Sequence, residues 1–178
     1  IAVRQQRIPL NVRLHFRKRD ITTNLINMSK TELTNMVMIQ DPITGKVLVQ
    51  DRIKSWKGLS FPGGHVENNE SFVDSAVREI KEETGLTVRN LKYCGVIHWL
   101  NNRTFDRYIV FLYKTKDYTG SLLDECDEGK NRWISIDELR VTPSENDMPK
   151  YLPMFLEDGY SEAFGSWNDE EPWDIEYK

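Results

Sequence analysis

Three glutamates crowd the stretch Arg78-Glu-Ile-Lys-Glu-Glu-Thr-Gly85. Glu79 lies three residues before Glu82 and four before Glu83, so on a helix all three become neighbours. Like charges at that spacing repel, each pair costing roughly a few tenths of a kcal/mol. A hard divalent cation would relieve the repulsion. Magnesium takes oxygen ligands and shares its shell with water and phosphate. Ions held there would bridge phosphoryl oxygens and acidify a water for attack on phosphorus. A glutamate-rich helix is usually an ordinary solvated face, and the hexapeptide alone reads that way.

The surrounding elements have to aim these carboxylates. Ser71-Phe-Val-Asp74 reads as a capping box, and Val73, Ala76, Val77 and Ile80 form an apolar stripe at helical spacing. Gly85 suits a left-handed helix end, with Leu86 folding back on Ile80. The spacing thus predicts a helix over Phe72 to Thr84, docked by its stripe, with the glutamates off it. Before it runs Phe61-Pro-Gly-Gly-His-Val-Glu67, where two glycines after a proline allow a tight, closely approaching backbone. Upstream, Thr34–Gln40 and Lys46–Asp51 flank Asp41-Pro-Ile-Thr-Gly45 and read as a hairpin. Ile53–Ser60 reads as a loop carrying Trp56. Further strands are expected at Val88, Tyr93–His98, Arg107–Lys114 and Arg132–Ser135. Short helices are expected from Ile136 and over Tyr151–Leu156.

In this context the glutamates fall into one register: Gly64, Glu70, Arg78, Glu79, Ile80, Glu82, Glu83, Gly85 and Leu86. The sequence resembles the Nudix box, G-x5-E-x7-R-E-U-x-E-E-x-G-U with U aliphatic. All seven fixed and both aliphatic positions match over 23 residues, which makes the motif specific. A looser resemblance extends from about Thr34 to Leu156. The resemblance implies an α/β/α sandwich with a mixed β-sheet. It implies hydrolysis of a nucleoside diphosphate linked to another group, with Mg2+ or Mn2+. On this pattern Glu79, Glu82 and Glu83 become metal ligands, and the Gly64 carbonyl a further one. Glu70 and Arg78 become a structural pair bracing loop against helix. Glu82 and Glu83 could also serve catalysis, as could Glu128 of the acidic loop Asp124–Gly129. That loop is equally well read as a solvated turn.

The box specifies the reaction and not the substrate. The short chain, Phe61-Pro-Gly-Gly-His-Val-Glu67 and Trp133 are most similar to the MutT-type 8-oxo-dGTP diphosphatases, which release a monophosphate and pyrophosphate. Asn146 and Asp147 then become candidates to read a purine edge, with Trp56, Phe61 or Trp133 stacking on or walling the ring. For each aromatic, core packing is the competing reading. Dinucleoside polyphosphates or ADP-ribose are alternative substrates. A non-catalytic nucleotide-sensing Nudix module is a further alternative, although such modules typically lose box glutamates and here all are present.

Totals set the remaining bounds. The chain has 178 residues, 39% of them hydrophobic, enough for one substantial core. Its two cysteines, Cys94 and Cys126, form no CxxC, which favours a reducing, cytoplasmic compartment over a disulfide scaffold. A net charge of −4 carries no general nucleic-acid signature, and no apolar run reaches membrane-spanning length. A nucleotide-sized substrate and a monomer or homodimer are expected. Charge is uneven along the chain. Residues 1–28 carry Arg4, Arg7, Arg13, Arg17, Lys18 and Arg19 against Asp20 alone. They read as a basic extension or a non-native leader before a hydrolase domain over 29–158. Residues 159–178 read as an acidic tail docked in part by Phe164, Trp167, Trp173 and Tyr177.

Overall fold

A computed structural model describes residues 29–143, 146–168 and 174–178. The basic segment 1–28, Ser144 and Glu145, and Trp173 lie outside the described residues. In chain order come β1 (Thr31–Ile39), β2 (Val47–Arg52), β3 (Gly58–Ser60) and the helix α1 (Phe72–Thr84). Then follow β4 (Thr87–Arg89), β5 (Lys92–Asn101), β6 (Arg107–Thr115), β7 (Asp117–Thr119), β8 (Glu125–Cys126) and β9 (Gly129–Ile134). Helix α2 (Ile136–Val141), a 3₁₀ turn (Met148–Tyr151), α3 (Leu152–Leu156), β10 (Glu162–Trp167) and β11 (Ile175–Tyr177) complete the described elements.

Side-chain alternation decides the layers. β1 and β6 are short runs of apolar and β-branched residues, suited to a strand covered on both faces. Val37 and Ile39 of β1 point to one face and pack with Ala76, Ile80, Leu86 and Val88. Met38, between them, points to the other and joins the cluster holding Met154 and Phe155. Helix α1 therefore covers one face of the sheet and α3 the other, giving an α/β/α sandwich. Strand order in that sheet is β1-β6-β5-β10-β11. It is mixed: β1 runs parallel to β6, and β10 parallel to β5, while β5–β6 and β10–β11 are antiparallel.

The expected hairpin does not form. β2 pairs with β3 and β9 in a second, antiparallel sheet of order β3-β2-β9-β8. β1 and β2 share a single bridge, Gln40 to Val47, before the chain crosses from one sheet to the other. The turn at Asp41–Gly45 is present, with the Asp41 carboxylate accepting the Ile43 and Thr44 amides. It redirects the chain without zipping the flanking strands together. β3 lies within the segment read as a loop, and β10 and β11 extend the main sheet beyond residue 158. The end of the chain thus supplies strands where a docked tail was expected.

Helix α1 begins and ends where its sequence says. The Ser71 hydroxyl accepts the Asp74 amide at 3.1 Å, and Gly85 closes the helix with φ of 74°. Among the described residues no helix is long and apolar enough to cross a membrane.

Candidate active site

The segment Pro62–Val66 lies along the edge of β1 as an irregular extra strand. The Val37 amide donates to the Pro62 carbonyl and the Asn35 amide to the Gly64 carbonyl, both at 2.9 Å; Val66 N–H donates to Leu33. Two close approaches explain the glycines. A β-carbon at Gly63 would lie 2.4 Å from the Asn35 carbonyl oxygen. One at Gly64 would lie 2.5 Å from the Glu79 carboxyl carbon. The segment is therefore wedged between β1 and the glutamate face of α1.

Glu83 is 7% exposed, and its carboxylate accepts the Gly63 amide at 3.0 Å. Burial pushes its pKa up to about 7, against the partial help of that amide. Burial also raises the Glu79 pKa, opposed by the neighbouring Arg78. Glu82 sits at the rim with its side chain 60% exposed. Arg78 ties these groups to the loop. Its guanidinium grips Glu70 through two bonds, at 2.7 and 3.0 Å, and donates to the His65 carbonyl at 2.9 Å. It also reaches Glu79 at 2.9 Å and Glu82 at 3.1 Å. The Arg78 pair, helped by the Glu67 amide, holds the Glu70 carboxyl down at about 2.

Arg78 alone thus faces the carboxylates of Glu70, Glu79 and Glu82. Negative charge is left over, on oxygen donors, beside a backbone with no room for a side chain. This donor set fits a hard divalent cation. Glu79, Glu82, Glu83 and the Gly64 carbonyl are the groups that could hold it. In the described conformation no three His, Cys, Asp or Glu side chains among the described residues enclose an ion-sized space.

Two clefts meet at this segment. The acidic one, about 570 Å³, is lined by Glu79, Glu82 and Glu83 on one side and by Glu125, Cys126, Asp127 and Glu128 on the other. Glu128 faces the box glutamates and pairs with Arg52 and Lys54, each at 3.3 Å. The second, about 310 Å³, is walled by Trp56, Phe61, Trp99, Tyr108 and Tyr151. Phe61 forms part of its floor, edge-on to Phe155 at 5.0 Å. Arg52, Ser55, Gly63, Gly64 and His65 line both clefts.

The base-pocket expectations divide. Phe61 and Asn146 line the aromatic cleft. Trp133 does not: it packs 5.4 Å from Tyr118, against the core cluster beneath α1. Its cross-strand partner Leu48 belongs to that same cluster, so the parity of β9 points Trp133 away from the aromatic cleft. Asp147 also turns away and pairs with Lys150 at 3.2 Å. Sequence reasoning missed Arg52, Ser55, Trp99 and Tyr108. Nothing local marks them, since their shared wall arises from β2, the segment that follows it, β5 and β6 coming together.

A profile of the NUDIX domain matches residues 33–155. The chain belongs to the Nudix hydrolase family. As a Nudix hydrolase it acts on nucleoside diphosphate-linked substrates, and enzymes of this family generally need divalent metal ions. A similar protein is the uncharacterized Nudix hydrolase YvcI of Bacillus subtilis, 30% identical over 114 residues, which make up 62% of this chain and 70% of that protein. The oxidized purine nucleoside triphosphate hydrolase of Danio rerio is 27% identical over 135 residues, 73% of this chain and 83% of that one. Among solved structures, the MutT mutator protein of Bacillus halodurans superposes with a TM-score of 0.66 at 21% identity, covering 81% of this Nudix chain and 97% of its own.

Proposed function

We propose that this Nudix hydrolase cleaves purine nucleoside triphosphates, oxidised forms such as 8-oxo-dGTP included, to the monophosphate and pyrophosphate. The observation that carries this reading is the meeting of two unlike clefts along one wall. An aromatic slot suits a planar base, and the adjoining acidic cleft suits a cation-bound phosphate chain. The residues common to both clefts would let one ligand span them.

Mg2+, or Mn2+ in its place, is the proposed cofactor, held by Glu79, Glu82, Glu83 and the Gly64 carbonyl. When bound, the cation supplies charge neutralisation for the diphosphate and acidification of water. The chain's own groups do the rest. Arg52, Ser55 and His65 orient the phosphate chain where the clefts join. Glu82, Glu83 and Glu128 are the carboxylates placed to take a proton from the attacking water. Arg78 and Glu70 keep the glycine segment in register with α1. Phe61 supports the base ring from below, and Asn146 shapes the same slot.

Initial rates across a panel test this reading. The panel holds nucleoside triphosphates, their oxidised forms, ADP-ribose and dinucleoside polyphosphates, each with magnesium. The expected result is fastest turnover of a purine triphosphate with pyrophosphate as product. Preference for ADP-ribose or a dinucleoside polyphosphate would replace the substrate while leaving the reaction class intact.

A further inference from the structure

Trp56 forms the outer wall of the aromatic cleft from an unusual backbone position. It lies between β2 and β3, is 53% exposed and has φ of 53°. A bulky side chain in the left-handed region is uncommon and has to be held there by its surroundings. Its ring stands 6.4 Å from Tyr108, tilted by 36°, so the two aromatics border the same slot. Its carbonyl accepts a hydrogen bond from Asn146 Nδ2 at 3.1 Å, across 90 residues of sequence. The preceding carbonyl, of Ser55, accepts from Arg52 Nε at 3.1 Å. Asn146 is itself 5% exposed, and its Oδ1 accepts the Met148 amide at 3.2 Å.

Both ends of the Asn146 amide are thus engaged by main chain. We infer that Asn146 is a positioning residue that straps Trp56 over the cleft, and that Trp56 stacks on the planar base of the substrate. The inference rests on the nucleotide reading above and changes the role of Asn146 within it. An aromatic face binds any planar ring with little regard to its edge. The strap then sets how tightly purines bind, and discrimination among bases falls to other groups in the slot. Arg52 holds the neighbouring carbonyl and also pairs with Glu128, so the Trp56 segment joins the base side of the site to its acidic side.

A double-mutant cycle tests this. Asn146→Asp keeps the acceptor for the Met148 amide and removes the donor to Trp56. KM and kcat for a purine nucleoside triphosphate are measured for wild type, Trp56→Ala, Asn146→Asp and the double variant. Each single change is expected to raise KM roughly tenfold, with a smaller effect on kcat, and Trp56→Phe to recover most of the loss. The double variant should match Trp56→Ala where the bond to the Trp56 carbonyl carries the effect of Asn146 on binding. Multiplying effects in the double variant, or an unchanged KM for Trp56→Ala, would overturn the inference. Acrylamide quenching reads the strap without any turnover. The difference between each protein and its Trp56→Phe counterpart isolates Trp56, and its quenching should rise in Asn146→Asp. Unchanged quenching would remove the strap, whereas absence of nucleotide hydrolysis by the wild type, with quenching as expected, would remove only the nucleotide reading.

Discussion

Gly64 lies so close to Glu79 that any β-carbon would collide with the carboxylate, 2.5 Å from its carboxyl carbon. The glycine is therefore what lets the backbone pass this close to the Glu79 carboxylate. Gly64→Ala should push Glu79 aside by a fraction of an ångström or more. Small displacements of positioned groups cost on the order of 100-fold in rate. We expect a loss of that size in turnover, with circular dichroism showing the fold retained. Turnover near wild type would mean the close approach has no role in the chemistry.

Glu82 offers the cleanest test of a single carboxylate. It is exposed at the rim, and its one described partner is Arg78. Glu82→Gln should lower turnover roughly 100-fold or more while shifting stability by no more than about 0.5 kcal/mol. The two effects are separable by steady-state kinetics and a thermal melt. Normal turnover would take Glu82 out of the site.

Arg78 should behave differently, because it holds structure as well as charge. Removing it takes the guanidinium from Glu70, which keeps the Glu67 amide, leaves the His65 carbonyl with the Ser75 hydroxyl alone among its described donors, and lets Glu79 and Glu82 repel. Arg78→Ala should cost about 1–3 kcal/mol of stability in addition to activity. A chemical-denaturation series reads this directly, and an unchanged midpoint would argue against a brace.

The same brace has a pH signature. Glu70 titrates near 2 in the folded chain, below the ordinary 4.5, because Arg78 and the Glu67 amide stabilise its charged form. A depressed carboxyl contributes stability that is complete above pH 4.5 and is lost as pH falls towards 2. Asp41, bonded by Tyr118 and Thr44, is likewise held at about 2 and adds to the same window. Stability should thus fall between pH 4.5 and 2, and Glu70→Gln should flatten part of that slope. An identical slope in the variant would assign the acid sensitivity elsewhere.

The box helix was legible because everything defining it is local. Ser71, the apolar stripe and Gly85 lie within a few residues of each other, and helix geometry does the rest. The hairpin failed for the opposite reason. The run Thr34–Gln40 says that a strand forms, but not with which partner. β1 pairs with β6, more than seventy residues away: Thr31 lies opposite Arg107. The aromatic cleft was half legible on similar grounds. Phe61 abuts the glycine segment and was found. Trp133 was misplaced because its direction depends on the parity of β9 against β2, which no local pattern reveals. Trp99 and Tyr108 were missed because β5 and β6 become neighbours only in the sheet, where those two residues pair.

Magnesium dependence of hydrolysis tests the central claim most directly. Initial rates of purine nucleoside triphosphate cleavage should rise with magnesium to saturation in the wild type. In Glu83→Gln the saturated rate should be far lower, or the magnesium needed far higher. Cleavage that proceeds equally well without added metal in the presence of a chelator, or with wild-type metal dependence in Glu83→Gln, would contradict the account.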